Sequence, residues 1–175
     1  MQKIGPYCRL APTRIDRMRN PPSRLITALG LLGFLILSFG ASTPGILFGP
    51  GEWYDSLNRP FFTPPNWLFG PAWTVLYICM AVAATLVWRR VGLRSRAMAW
   101  WFIQLVLNTL WTLIFFGLQA PGLALIEITL MWGAILICML HFRPVSPLAF
   151  WLMVPYLAWV TFAWALNAGF WWLNY

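Results

Sequence analysis

The chain predicts an all-α integral membrane protein built as a bundle of five transmembrane helices. Three observations lead there. Of 175 residues, 61% are hydrophobic and only 9% charged, whereas an ordinary soluble domain carries about 25% charge. The apolar residues gather into five stretches, each close to the ~20 residues that a helix needs to cross ~30 Å of hydrocarbon. Most of the thirteen Trp lie at or within those stretches. Inside lipid every backbone polar group must be paired within its own segment, so each stretch is expected to be a helix. The spans use up most of the chain and leave no room for a soluble domain.

Residues 1–23 read as a basic, disordered tail. Pro6, Pro12, Pro21 and Pro22 break any long amphipathic helix. The tail lacks the apolar core of a secretory signal, and scarce Ser with Asp16 present argues against a transit peptide. The five-helix domain is expected over 24–175. Span one covers about 25–48, and Gly30, Gly33, Gly40 and Ala41 allow a neighbouring helix to approach closely. The longest connection, 49–66, reads GPGEWYDSLNRPFFTPPN. Span two covers about 67–88, with Asn66 as an N-cap candidate and Pro71 tolerated in the first turn. Spans three, four and five follow at about 97–118, 121–142 and 148–172.

Charge sorts the connections by side. The tail carries Lys3, Arg9, Arg14, Arg17, Arg19 and Arg24 against Asp16, the second loop Arg89, Arg90, Arg94 and Arg96, and the fourth Arg143. The opposite side has Glu52, Asp55 and Arg59. An excess of Lys and Arg marks the inner side of a membrane, so the N-terminus and basic loops are expected inside and the C-terminus outside. The net charge of +8 is thus a topology signal divided among flanking segments, and no nucleic-acid partner is expected. Cys8, Cys79 and Cys138 match no zinc or redox spacing. His141, alone, reads as an interfacial side chain, and no metal site is expected.

No phosphate-binding glycine loop and no nucleophile–base set is present. Glu127 is the one acid inside a span. Such a residue is a functional candidate by default, and a structural acid, protonated or bonded to a neighbouring span, is the alternative. On span three, Gln104, Asn108 and Thr112 recur every fourth residue and share a face, with Trp111 and Phe115 on the adjacent stripe. The amides either bond across helices or line a pocket. Trp67, Trp88, Trp100, Trp101, Trp151, Trp171 and Trp172 lie near span ends and read as an aromatic belt. Trp73, Trp111, Trp132, Trp159 and Trp164 lie deeper, where an indole N–H needs a partner; they either pack the core or form a slot for a flat apolar ligand. The 49–66 loop is stiffened by Pro60, Pro64 and Pro65 and made adhesive by Trp53, Tyr54, Phe61 and Phe62. It reads as a lid over the bundle or as an interfacial anchor.

The string WYDSLNRPFFTPPNWLFGPAWTVLY (53–77) resembles the translocator protein family, also called tryptophan-rich sensory proteins (TspO/MBR) or peripheral benzodiazepine receptors. LNTLWTLIFFG (107–117) and VPYLAWVTFAWALN (154–167) agree as well, and the resemblance runs in order from Leu25 to Asn167. It implies a five-helix bundle, commonly a homodimer, with a pocket beneath the first loop. It also implies a ligand such as protoporphyrin IX, haem or another flat lipophile, with no tightly bound cofactor, and the membrane lipid as surroundings. The family's pocket positions match Tyr54, Pro64, Trp73, Tyr77, Gln104, Asn108, Trp111, Trp159 and Ala163. Some bacterial members are linked to light-dependent breakdown of protoporphyrin IX, and the two Trp implicated match Trp73 and Trp159. The sterol-recognition motif of animal members is not reproduced, because Ala168 stands at its Tyr position and no Lys or Arg follows. That departure and the basic N-terminal extension fit a bacterial member.

The function expected is a porphyrin-binding sensor that regulates tetrapyrrole metabolism or a stress response. Light- and oxygen-dependent porphyrin degradation is the alternative, with passive porphyrin or sterol transport as a third reading. Arg59, by its place in the lid, is a candidate partner for a porphyrin carboxylate.

Overall fold

The computed structural model describes residues 22–175; the expectation of a disordered tail falls, but for Pro22 and Ser23, outside them. Seven helices and no strand occur among the described residues. They are α1 (Arg24–Gly40), α2 (Thr43–Leu47), α3 (Glu52–Ser56), α4 (Phe69–Val91), α5 (Arg96–Thr112), α6 (Pro121–Phe142) and α7 (Pro147–Asn174). Five membrane-length units result: Arg24–Leu47, Asn66–Val91, Arg96–Gly117, Pro121–Phe142 and Pro147–Asn174. Side-chain caps begin three of them. Ser23, Ser95 and Ser146 accept from the N–H groups of Ile26, Met98 and Ala149, each at 3.3 Å. Asn66 does not cap α4; it opens a short 3₁₀ turn, Asn66–Leu68, that leads into the helix. Gly92 ends α4 in the left-handed region, φ 75°, with its N–H on the Trp88 carbonyl at 2.8 Å.

The spans form a closed bundle. α1 packs on α4, α4 on α7, α7 on α6 and α6 on α5, while α5 also meets α4 and α2. Large apolar side chains such as Leu29, Ile36, Val106 and Leu130 point outward, where lipid would meet them, and small residues fill the interior: Ala81, Ala83 and Ala84 have no exposed surface. In lipid the helices are held by close packing and internal polar contacts rather than by exclusion of water. Gly30 shows how close the approach is. A Cβ there would lie 2.1 Å from the Trp88 ring, so only glycine lets that indole lie against α1. Gly33 and Gly40 have nothing within 4 Å and make no such contact.

Two spans depart from continuous helices. Span one breaks after Gly40, because Pro44 has no N–H to give and its ring collides with the carbonyl four residues earlier. The hydroxyls of Ser42 and Thr43 bond the carbonyls of Phe39 and Gly40, at 2.6 and 2.7 Å, and α2 follows. Span three ends in a π-helical turn, Leu113–Gly117, in which the Leu118 N–H reaches the Leu113 carbonyl at 2.9 Å. Both irregularities occur at the end of the bundle that carries the 49–66 loop. At the other end Arg90 donates to the Val145 carbonyl and joins the two basic connections.

Candidate functional site

The break in α1, the π turn and the long loop together border a partly open cavity of about 300 Å³. One wall comes from Phe39, Ser42, Gly45 and Ile46 around the break. α4 supplies Phe69, Trp73 and Tyr77, α5 and its π turn supply Trp111, Thr112 and Phe116, and α7 supplies Trp159 and Ala163. The loop roofs it through Gly49, Pro50 and Tyr54. The lining is aromatic and apolar with a few hydroxyls, as expected where a flat lipophile is held by its faces and oriented by a small number of polar groups.

The roof is anchored at several points. α3 buries Tyr54 between Phe116 and Phe170, at ring distances of 5.6 and 5.2 Å. Arg59 pairs with Asp55, and its guanidinium carbon stands 4.9 Å above the Tyr54 ring centroid. Burial pushes the Tyr54 hydroxyl above its ordinary range, with the nearby Arg59 charge opposing. Asn174, at the end of α7, clasps the loop at Asn58: its Oδ1 accepts from the Asn58 N–H at 2.8 Å and its Nδ2 donates to the Asn58 carbonyl at 3.0 Å. Pro60 then lies on Gly169, where a Cβ would stand 2.6 Å from the proline ring. The loop therefore lies folded on the end of the bundle, beside the cavity.

The deep indoles divide into two chemical groups. Trp111 donates to Asn167 Oδ1 at 3.0 Å, Trp132 to Thr161 Oγ1 at 2.9 Å and Trp164 to Thr129 Oγ1 at 2.9 Å. Trp101, which its sequence position assigns to the belt, is fully buried and donates to the Met80 carbonyl at 3.2 Å. Trp73 and Trp159 have no such acceptor among the described residues. Trp73 stacks on Tyr77, with ring centroids 5.2 Å apart and planes at 28°. Trp159 meets Phe69 edge-on at 6.0 Å and Phe162 at 5.7 Å. Two indoles thus line one cavity from neighbouring helices, and neither bonds its N–H to a protein acceptor among the described residues.

Six of the nine residues singled out from the sequence line this cavity: Tyr54, Trp73, Tyr77, Trp111, Trp159 and Ala163. Pro64 is half-buried in the returning arm of the lid, off the cavity. Asn108 stands behind Tyr77, accepting from its hydroxyl at 3.1 Å and donating to the Tyr156 hydroxyl at 3.3 Å. Gln104, one turn further in, spends its amide N–H on the Trp101 carbonyl at 2.9 Å. Both amides therefore bond within the bundle. Arg59 borders a separate, open groove with Phe61, Phe62 and Trp172, outside the cavity.

A model of the TspO/MBR family matches residues 26–173. The chain belongs to that family. Relatives of this TspO/MBR chain include "Protein CrtK" of Rhodobacter capsulatus, 42% identical over 140 residues that make up 77% of this chain and 86% of the relative. The "Tryptophan-rich sensory protein" of Cereibacter sphaeroides is 42% identical over 136 residues, 78% and 85% of the two chains. The human "Translocator protein" is 37% identical over 147 residues, 80% and 87% of the two. The chain is thus an integral membrane TspO/MBR protein with tryptophan-rich sensory and translocator relatives. Sequence reasoning missed the wall supplied by Phe39, Ser42, Gly45 and Ile46. The signal was legible as Ser42-Thr43-Pro44-Gly45, a helix-breaking string inside an apolar run.

Proposed function

We propose that this TspO/MBR protein binds protoporphyrin IX, haem or a similar flat lipophile in the cavity beneath the lid, and that it acts as a sensor regulating tetrapyrrole metabolism or a stress response. One observation carries the reading: Trp73 and Trp159, neither of which spends its N–H on a protein acceptor among the described residues, line one aromatic cavity beneath the loop. Stacked aromatic pairs contribute beyond the area that they bury. A volume of about 300 Å³ lies at the low end for small-molecule sites, so a tetrapyrrole enters with the lid displaced. The working unit is taken as a homodimer, as the family resemblance implies, with the basic connections inside and the lid and C-terminus outside.

The stacked Trp73–Tyr77 pair favours one second reading, light- and oxygen-dependent porphyrin breakdown. The excited porphyrin would supply the chemistry, with Trp73 and Trp159 as adjacent redox-active indoles. A single experiment addresses both. Protoporphyrin IX is titrated into detergent-solubilised protein while Trp fluorescence and the porphyrin absorption band are followed in dark and in light. Dark quenching with a stable band in light is the result expected of a sensor. Loss of the band only in light, abolished by the Trp73→Phe/Trp159→Phe pair, selects the second reading, and absence of quenching removes both.

A further inference from the structure

The acid at Glu127 lies inside α6, six residues and about 9 Å from the helix start at Pro121. It is 7% exposed, and neither carboxyl oxygen has a hydrogen-bond partner among the described residues. An unpartnered buried carboxyl is costly in a membrane interior and needs a compensating group.

A donor stands close by with an equally poor partner. The hydroxyl of Tyr156, fully buried on α7, has only the thioether of Met131 as acceptor, at 3.8 Å, and thioether sulfur accepts weakly. Met131 lies one turn after Glu127 on the same buried face of α6, so the Tyr156 hydroxyl sits beside the turn of α6 that follows Glu127. The Tyr156 oxygen in turn accepts from Asn108 Nδ2 at 3.3 Å, and Asn108 Oδ1 accepts from the hydroxyl of Tyr77 at 3.1 Å. Tyr77 lines the ligand cavity. A polar chain therefore crosses the bundle from the cavity wall on α4, through α5 and α7, to within one turn of the buried acid on α6.

We propose that Glu127 is a proton-binding group coupled to the cavity wall through Tyr156, Asn108 and Tyr77. When the Glu127 O–H bond breaks and its proton leaves for water at the α6 start, the carboxylate accepts the Tyr156 O–H, which turns away from Met131. The Tyr156 oxygen then accepts more strongly from Asn108, and each bond in such a chain polarises the next, so Tyr77 is altered at the cavity. Binding linkage is reciprocal: whatever engages Tyr77 shifts proton occupancy at Glu127. The groups facing Glu127 set no rival charge. The buried polar side chains of α5 are the amides Gln104 and Asn108, α7 supplies the Tyr156 hydroxyl and the Asn167 amide, which bonds the Pro121 carbonyl at the α6 start, and Cys138 lies further along α6. Every other charged side chain among the described residues lies at or beyond the end of a span. This coupling goes beyond the porphyrin reading and does not depend on it, since Tyr77 borders the cavity whatever enters.

The chain has two Glu, Glu52 and Glu127, and five Tyr, which makes the test spectroscopically simple. The full chain in detergent micelles, labelled with ¹³C at Glu carboxyl and Tyr Cζ carbons, is titrated with pH by NMR, without ligand. The expected result is a Glu127 carboxyl signal, absent in Glu127→Gln, that titrates with the same midpoint as the Tyr156 and Tyr77 signals. In Glu127→Gln neither Tyr follows that midpoint. In Tyr156→Phe, Glu127 still titrates while Tyr77 stays still. A Glu127 signal that never moves while the protein is folded overturns the proposal. So does a stationary Tyr77 during Glu127 titration, or a Tyr77 signal that still moves in Glu127→Gln.

Discussion

At the scale of single residues, hydrogen-bond satisfaction separates structural indoles from candidate binding ones. Trp101 and Trp111 each hold a buried polar partner, and losing such a partner costs about 1–3 kcal/mol. Asn167 joins three helices, accepting from Trp111 and donating to the Pro121 carbonyl at 2.8 Å. Asn167→Ala is expected to cost about 1–3 kcal/mol of stability and so to lower the thermal midpoint in detergent clearly, while Trp73→Phe and Trp159→Phe leave it nearly unchanged; differential scanning fluorimetry separates them. Tyr54 gives a pH prediction. Its hydroxyl is raised by burial, so the folded lid holds the neutral phenol more tightly than the unfolded chain does. That contribution is complete below the ordinary value of about 10 and fades as pH climbs above it. The lid should therefore stay intact through neutral pH and loosen only in strong alkali, as an absorbance titration of the tyrosines would report, and Tyr54→Phe should remove one of its steps. Sequence alone did not separate these indoles. Depth along a span is legible from position, but the face an indole takes depends on helix rotation, and so Trp101 reads as belt while it is core.

At the scale of elements, the site is made by irregular helices. The α1–α2 break and the π turn place side chains that a continuous helix would send elsewhere, in keeping with the tendency of π turns to occur at functional sites. Span existence was legible because apolar length is a composition signal. The break was legible only in part, since a Pro after Gly and Ser can kink a span or end it. The π turn was not legible at all: LNTLWTLIFFG carries no residue that demands it, and it follows from packing Phe115 on Trp111 and Phe116 on Tyr54. The lid reading gains support from the Asn58–Asn174 clasp, which joins residues far apart in sequence that no local pattern connects. Gly169→Val is expected to push Pro60 off α7 and loosen the lid without unfolding the bundle. Stopped-flow quenching should then show faster porphyrin entry and release, and limited proteolysis should cut near residues 57–65; unchanged rates and cleavage would mean that the lid does not gate the cavity.

At the scale of the whole molecule, the count of five spans, the membrane class and the family were all legible, because each rests on patterns spread along the chain. The order of helices around the bundle was not, since all five spans are apolar on most faces. That order decides which of the nine candidate positions share a cavity, and it separates Tyr54, Trp73, Tyr77, Trp111, Trp159 and Ala163 from Gln104 and Asn108. The central claim is that the ligand occupies the roofed space between α4 and α7. Ala163→Trp fills that space from the α7 wall with a side chain pointing into it. The measurement is the dark quenching titration of this variant with protoporphyrin IX against the unaltered protein, with thermal unfolding as the control for folding. A loss of affinity of about tenfold or more, roughly 1.4 kcal/mol, in a variant that still unfolds cooperatively is the predicted result. An unchanged affinity would place the porphyrin elsewhere and contradict the account.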